Sequence, residues 1–425
     1  MSDTRANPAA ADAFERARQA FLDGVAHHEA GRFGAARDAY LASLALAPGR
    51  LSTLSNLGAT WLRLGRPAEA LAALDEALAT APDDRDASFR RADALLALGD
   101  AAAALEAVDR ALAVDAAFAG GWLRRGEILL RLDRAADAAI AFERATALAG
   151  DADPARAVAW RHRGNLLREA GRLHAARDAF ERSLAAGGDA EDLRFLLASV
   201  AGTAAGAPAA APADFVRELF DGYAADYDRH LLGPLGYRAH RALVEPLPGI
   251  VGRTVFGRAL DLGCGTGLCG PLLRPFVAHL TGVDLSPRML GEAAASGAYD
   301  ALLADDAVAA LEAAPGGSLD LVVAADVLIY IGDAEPLVRA AARALAAGGV
   351  FALTVERLDD SDGADVRLDP TLRFRHADRL WPRLASRHGL ELRALRPEVL
   401  RREQGRDVAG LVVVFVREVA PDAPG

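Results

Sequence analysis

The sequence predicts two parts of different architecture: an all-α superhelix of repeats, then an α/β domain around a mostly parallel seven-stranded sheet. Three observations lead there. A helix-turn-helix register recurs at a spacing of 34 residues through four units of the first half, and a fifth unit follows after 38. A stretch of Ala, Gly and Pro without a bulky apolar residue then interrupts the chain. Beyond it, short apolar runs alternate with amphipathic segments, the pattern of parallel strands joined by crossover helices. The predicted parts are an extension over 1–16, repeats over 17–199, a linker over 200–213 and the α/β domain over 214–425.

Composition narrows the chemistry first. The 425 residues carry a formal charge of −11, and all 48 basic residues are Arg. With no Lys, a Schiff base, a catalytic amine and a Walker-type phosphate loop are all excluded. Neither half is basic, so a broad nucleic-acid footprint is not expected. The two cysteines, Cys264 and Cys269, make neither a disulfide framework nor a metal knuckle. The nine His are scattered, with no metal-ligand spacing. The start is polar, and no run of about 20 uncharged apolar residues exists. A cytoplasmic protein with neither a membrane nor a metal partner is therefore expected.

In the repeats, Gly31-Arg32, Gly65-Arg66, Gly99-Asp100, Asp133-Arg134 and Gly171-Arg172 mark five turns. A small residue stands seven before each: Gly24, Gly58, Ala92, Gly126 and Gly164. Ala follows five after each turn (Ala36, Ala70, Ala104, Ala138, Ala176), and a bulky apolar residue four later: Tyr40, Leu74, Val108, Phe142 and Phe180. Two helices approach closely only where side chains are small, so the small residue of the first helix is expected to pack on the Ala of the second. The bulky residue fills the space beside them. Each pair leaves an apolar face open, so pairs must stack. This register resembles the tetratricopeptide repeat. The resemblance implies a superhelix whose concave groove holds a protein or peptide; self-association is the other reading. Arg161, Asn165 and Arg168 share one helix face, either as a carboxylate grip or as a solvated polar face.

In the second half, strands are predicted over 256–262, 279–284, 300–304, 319–324, 349–356, about 392–395 and 411–416. Helices are predicted over 268–274, 287–295, 307–313 and 336–346. The last two strands flank the turn Glu403-Gln404-Gly405-Arg406-Asp407, which makes the final strand antiparallel. The first strand ends in Asp261-Leu262-Gly263-Cys264-Gly265-Thr266-Gly267. Its glycines permit a tight turn and a ligand close to the backbone. A second acid, Asp284, ends the second strand before Leu285 and suits a pair of ribose hydroxyls. Gly265 to Gly270 also spells a dinucleotide fingerprint. Asp261 would repel a pyrophosphate, however, and suit an ammonium.

Residues 214–425 resemble the class I S-adenosylmethionine-dependent methyltransferases, an α/β Rossmann-like family. The resemblance rests on the D-x-G-x-G-x-G run at 261–267, Asp284, and the segment Asp320 to Tyr330. It implies S-adenosyl-L-methionine as cofactor, held at its methionine end by Asp261 and the loop Gly263, Cys264, Gly265 and Gly267. Asp284 with Leu285 would take the ribose, and Asp305 or Asp306 the adenine amino group. Asp326 would lie near the methionine moiety or the acceptor. Residues 214–250 resemble a helical cap, where Phe220, Tyr223 and Tyr227 share a face. Tyr223 and Tyr227 either cover the sulfonium or face the core with Phe220. The whole order of parts resembles bacterial methyltransferases carrying tetratricopeptide repeats.

A sulfonium is an activated methyl donor, so such an enzyme mainly aligns a nucleophile and excludes water, worth about 7–11 kcal/mol. An alcohol or ammonium acceptor also needs a base. Asp326, Tyr330, Glu356 and His376 are the candidates. The strand-four segment lacks the Pro-Pro-aromatic signature of enzymes that methylate planar amino groups. Three readings follow: a methyltransferase whose repeats recruit a protein partner or substrate, a small-molecule methyltransferase whose repeats serve assembly, and a non-catalytic adaptor that binds the cofactor.

Overall fold

The computed structural model describes residues 8–201, 208–223, 229, 231, 233, 235–359, 363–403 and 405–418. The chain divides into two units, Met1–Gly188 and Asp189–Gly425.

Among the described residues, the first unit holds ten helices: α1 (Pro8–Glu29), α2 (Phe33–Leu46), α3 (Leu51–Arg63), α4 (Pro67–Thr80), α5 (Arg85–Ala97), α6 (Ala101–Val114), α7 (Ala119–Arg131), α8 (Ala135–Leu148), α9 (Pro154–Glu169) and α10 (Leu173–Ala185). They form five successive pairs, as the 34-residue register requires. The five turn positions are all left-handed: Gly31, Gly65, Gly99, Asp133 and Gly171 have φ between 57° and 86°. Asp84, Asp100 and Asp153 cap helices by accepting from Ala87 N, Ala103 N and Ala155 N at 2.6–2.9 Å.

The close approach differs in one respect from the expected one. The small residue faces the bulky one itself. A Cβ placed on Gly24, Gly58, Gly126 or Gly164 would lie 2.4–2.6 Å from Tyr40, Leu74, Phe142 or Phe180 respectively. The glycine is thus the socket for the large side chain of the paired helix. The Ala positions, all solvent-free, lie one helical turn before it.

In the second unit, strands β1 (Phe256–Leu262), β2 (Val277–Asp284), β3 (Ala301–Ala304), β4 (Leu319–Ala324) and β5 (Leu345–Arg357) form a parallel sheet in the order 3-2-1-4-5. Two very short strands follow, β6 (Val366–Leu368) and β7 (Phe374–His376), then β8 (Leu390–Glu403) and β9 (Arg406–Arg417). β9 runs antiparallel to β5 and β8 antiparallel to β9, as the hairpin turn predicts. The sheet therefore contains the seven expected strands and two more, β7 pairing parallel to the end of β5 and β6 antiparallel to β7.

Alternation places a core on each face of the sheet. Val322, Phe351, Leu353, Val413 and Phe415 pack on one side with the helices Glu335–Ala344 and Leu380–Arg387. Leu321, Val323, Ala352, Val412 and Val414 pack on the other with the helix Ala239–Val244. Burial on both faces explains why these runs are continuously apolar.

The end of the predicted linker belongs to this unit. Ala209 O accepts from Gly332 N and Asp333 N at 2.7 and 2.8 Å, and Ala210 bridges Ile331. The helix α11 (Ala190–Ala201), predicted within the repeats, also packs here: Phe195 lies 6.2 Å from Phe374 and 5.4 Å from Phe215.

Candidate active site at the strand ends

At the carboxyl ends of β1, β2 and β4 lies a cavity of about 370 Å³. A parallel sheet opens its ligand crevice at this edge, because each strand leaves through a loop there. The loop after β1 carries Gly263 at φ 59° and Gly265 at φ 54°. A Cβ on Gly263 would lie 2.5 Å from Val327 Cγ2, whereas one on Gly265 would meet no protein atom within 4 Å. The backbone at Gly265 therefore borders open space, a cradle that a side chain would fill.

Asp284, at the end of β2, ties the loop down. Its Oδ2 accepts from Gly265 N at 2.8 Å and its Oδ1 from Ser286 N at 2.9 Å. Burial raises its carboxyl above the ordinary range, and these N–H donors oppose the rise. The Ser286 hydroxyl donates to Asp221 Oδ1 at 2.5 Å, fixing the helix Ala213–Tyr223 beside the crevice.

Most of the residues singled out from sequence meet on this wall. Gly263, Cys264, Gly265, Asp284, Leu285, Asp305, Asp306, Asp326 and Tyr330 all line the cavity. Asp306 caps the helix Ala307–Ala313, its Oδ1 accepting from Val308 N and Ala309 N at 2.9 and 3.0 Å. Asp305 Oδ1 accepts from its neighbour Asp306 N at 2.8 Å and caps no helix, which favours Asp305 as the group open to a ligand. Burial keeps the Cys264 thiol neutral.

Four residues are placed elsewhere. Asp261 lies fully buried beneath the glycine loop, where its Oδ2 accepts from the Tyr299 hydroxyl at 2.6 Å. Burial pushes its carboxyl up to about 7. Gly267 turns inward: a Cβ there would lie 3.0 Å from the Tyr299 ring and 3.2 Å from Ala293. His376 sits in the core on β7, with Nε2 3.2 Å from Gly332 O and its ring 5.6 Å from Trp381. Burial lowers it to about 4, and its side chain is enclosed in the core and is not part of the cavity lining. Glu356, the other candidate, is spent on ion pairs with Arg401, Arg373 and Arg375. Tyr227 lies outside the described residues. Tyr223 ends the helix Ala213–Tyr223, but its side chain is not among those described. Phe220 lines the cavity and stands edge-on to Tyr330 at 5.6 Å.

The cavity also brings in groups that the sequence does not single out as site residues. Tyr237 and His240 stack at 5.2 Å, and both line it. Arg373 and Arg401 line it from positions far along the chain. Arg401 is 2% exposed; its Nη1 lies 3.3 Å from Asp326 Oδ2 and its Nε 2.9 Å from Glu403 Oε1. Asp326 has the left-handed φ of 60°, held by its N–H donating to Thr354 Oγ1 at 2.9 Å. Its other oxygen, Oδ1, is buried without a hydrogen-bond partner among the described residues.

A parallel sheet in 3-2-1-4-5 order with an antiparallel terminal hairpin, a glycine loop after β1 and an acid ending β2 is the arrangement that the resemblance to class I methyltransferases implies. Comparison with known proteins agrees. Residues 260–353 match the family described as a methyltransferase domain, and residues 61–121 and 91–157 match tetratricopeptide repeats. Tetratricopeptide repeats in the first unit and a methyltransferase domain in the second are what these matches show.

Curated relatives include the ubiquinone biosynthesis O-methyltransferase of Xanthomonas oryzae pv. oryzae (strain PXO99A), 34% identical over 104 residues, 24% of this chain and 44% of that protein. Human methyltransferase-like protein 27 is 42% identical over 86 residues, 20% of this chain and 35% of that protein. The chain thus spans less than half the length of either. Similar solved structures include a thermophilic tetratricopeptide-repeat protein of Thermus thermophilus (24% identity, TM-score 0.36, covering 43% of this chain and 98% of that one). The YcgJ protein from Bacillus subtilis is another (15% identity, TM-score 0.32, covering 40% and 99%). Among the described residues, no helix is long and apolar enough to cross a membrane, and no group of three His, Cys, Asp or Glu is placed to hold a metal.

Proposed function

We propose that this protein is an S-adenosylmethionine-dependent methyltransferase, with its repeat array recruiting a protein partner or substrate. One observation carries the reading. The bare backbone at Gly265, the carboxylates of Asp284 and Asp305, and the wall at Asp326 converge on one cavity at the strand ends.

The donor set fits the cofactor. Asp284 suits the ribose hydroxyls, and Asp305 an exocyclic amino group. Gly265 leaves room for the methionine end, and Asp261 accepts from the Tyr299 hydroxyl beneath the loop. When bound, S-adenosylmethionine supplies a methyl group already activated on sulfonium. The chain's own task is then to orient an acceptor in line with that methyl and to exclude water. Phe220, Leu231, Leu235, Ile329 and Tyr330 give the cavity the apolar wall this needs.

Recruitment through the repeats rests on the five stacked pairs, the architecture of an extended binding surface. Labelled methyl transfer into a cell extract, sorted into protein and metabolite fractions, tests both parts. Label in a protein fraction that disappears when residues 1–188 are deleted supports recruitment. Label in metabolites that survives the deletion supports a small-molecule enzyme. Absence of transfer together with absence of cofactor binding overturns the reading.

A further inference from the structure

Resting on the methyltransferase reading, we infer that the acceptor is an electrically neutral molecule presenting a hydroxyl on an apolar body, and that Asp326 takes the hydroxyl proton.

A buried carboxylate oxygen without a donor costs free energy comparable to a lost charged hydrogen bond, so native sites seldom leave one. Asp326 Oδ1 is such an oxygen, on the wall of the cavity, in a strained backbone conformation. A hydrogen-bond donor on a molecule bound in the cavity would satisfy it. Arg401 at Oδ2 favours the carboxylate form of Asp326 against the burial that raises it, and Arg401 is held in turn by Glu356 and Glu403 behind the wall. Arg401 itself need touch no ligand; it positions the base and favours its charged form.

The charges on the wall then select the acceptor. Asp326 faces the cavity and repels a carboxylate. Arg373 and Arg401 also line it and repel an ammonium. Between charges of both signs, a neutral donor is the group that fits, and the surrounding Phe220, Leu231, Leu235, Tyr237, Ile329 and Tyr330 give its body an apolar seat. The bond-making step balances without a further reagent. The hydroxyl proton passes to Asp326 Oδ1, the oxygen lone pair forms the new C–O bond, and the S–C bond pair returns to sulfur. Negative charge on the acceptor oxygen is met by the guanidinium of Arg373, which also hydrogen-bonds Tyr330. Burial raises Asp326 above the ordinary carboxylate range, which brings it closer to the proton it must take.

The test uses the full chain and the variant Asp326→Asn. Asn tolerates the left-handed backbone at this position, so the variant should fold, which circular dichroism checks. Calorimetry with S-adenosylmethionine is expected to give the same Kd in both proteins within about threefold. Methyl transfer into a cell extract is expected to fall roughly 100-fold or more in the variant, the range of a lost general base. The wild-type product should be a methyl ether, stable to alkali. An alkali-labile ester, an N-methyl product, a wild-type protein that binds cofactor but methylates no hydroxyl, or undiminished transfer by Asp326→Asn each overturn the proposal. So does a Kd weakened tenfold or more, which would assign Asp326 to the cofactor. Failure of the wild type to bind S-adenosylmethionine at all refutes the broader reading, and the acceptor assignment falls with it.

Discussion

Replacing Gly126 with alanine adds one methyl to the interior of α7, and the structure shows where it goes. The new Cβ would lie 2.4, 2.7 and 2.7 Å from three carbons of the Phe142 ring, which is itself fully buried. Helix propensity alone favours alanine by about 1 kcal/mol. Overpacking a filled core costs about 1–3 kcal/mol, and three contacts this short on a stiff ring belong at or above the top of that range. The net expectation is a loss of about 2 kcal/mol or more. The third repeat supplies the compensation: there Ala92 replaces glycine, and its bulky partner is Val108, both fully buried. Gly126→Ala combined with Phe142→Val copies that pair. The double variant should be less destabilised than the sum of the two singles by at least about 1 kcal/mol. Urea unfolding of the four proteins, followed by far-ultraviolet circular dichroism, measures the cycle. A Gly126→Ala protein more stable than wild type, or strict additivity, would refute the socket as the cause of the register.

Two other expectations follow from single groups. Asp133 occupies the left-handed turn position that glycine holds in the other four repeats, at φ 57°; Asp133→Gly should therefore stabilise by about 0.5–1 kcal/mol and raise Tm by a few degrees, whereas a lower Tm would contradict it. Asp261 keeps its proton up to about 7 in the folded state against 3.8 ordinarily, so the folded form binds more protons than the unfolded between those values, and stability falls as pH rises through that window. His376, lowered to about 4 from 6.5, works in the opposite direction, losing stability as pH falls from 6.5. Wild type measured against Asp261→Asn should accordingly lose relative stability from pH 5 to 8, and a flat difference would contradict the burial argument.

The repeats are legible in the sequence because their contact is local and severe. A glycine that receives a phenyl ring leaves a mark at fixed spacing, although the spacing alone does not say whether the ring or the alanine sits in the socket. The cofactor half of the site is legible for a related reason: Gly263, Gly265 and Asp284 act through backbone geometry at strand ends, and strand ends follow from hydrophobic runs. The acceptor half is not. Arg373, Arg401, Tyr237 and His240 come from segments distant in the chain that the sheet brings together, and no periodicity ties them to Asp326. His376 and Glu356 read as candidate bases because their chemistry is visible in sequence, while their burial is not. β6 and β7 have three residues each, too few to show alternation. β8 is longer than its apolar run because charged residues, Arg393, Arg396 and Glu398 among them, alternate along it.

Under the proposed function, the strand-end cavity binds S-adenosylmethionine against the bare backbone of the glycine loop. Calorimetry of the full chain and of Gly265→Val measures this directly. One cofactor per wild-type chain and no detectable binding by a folded Gly265→Val protein is the predicted result. Equal affinity in the two, or none in the wild type, would contradict it.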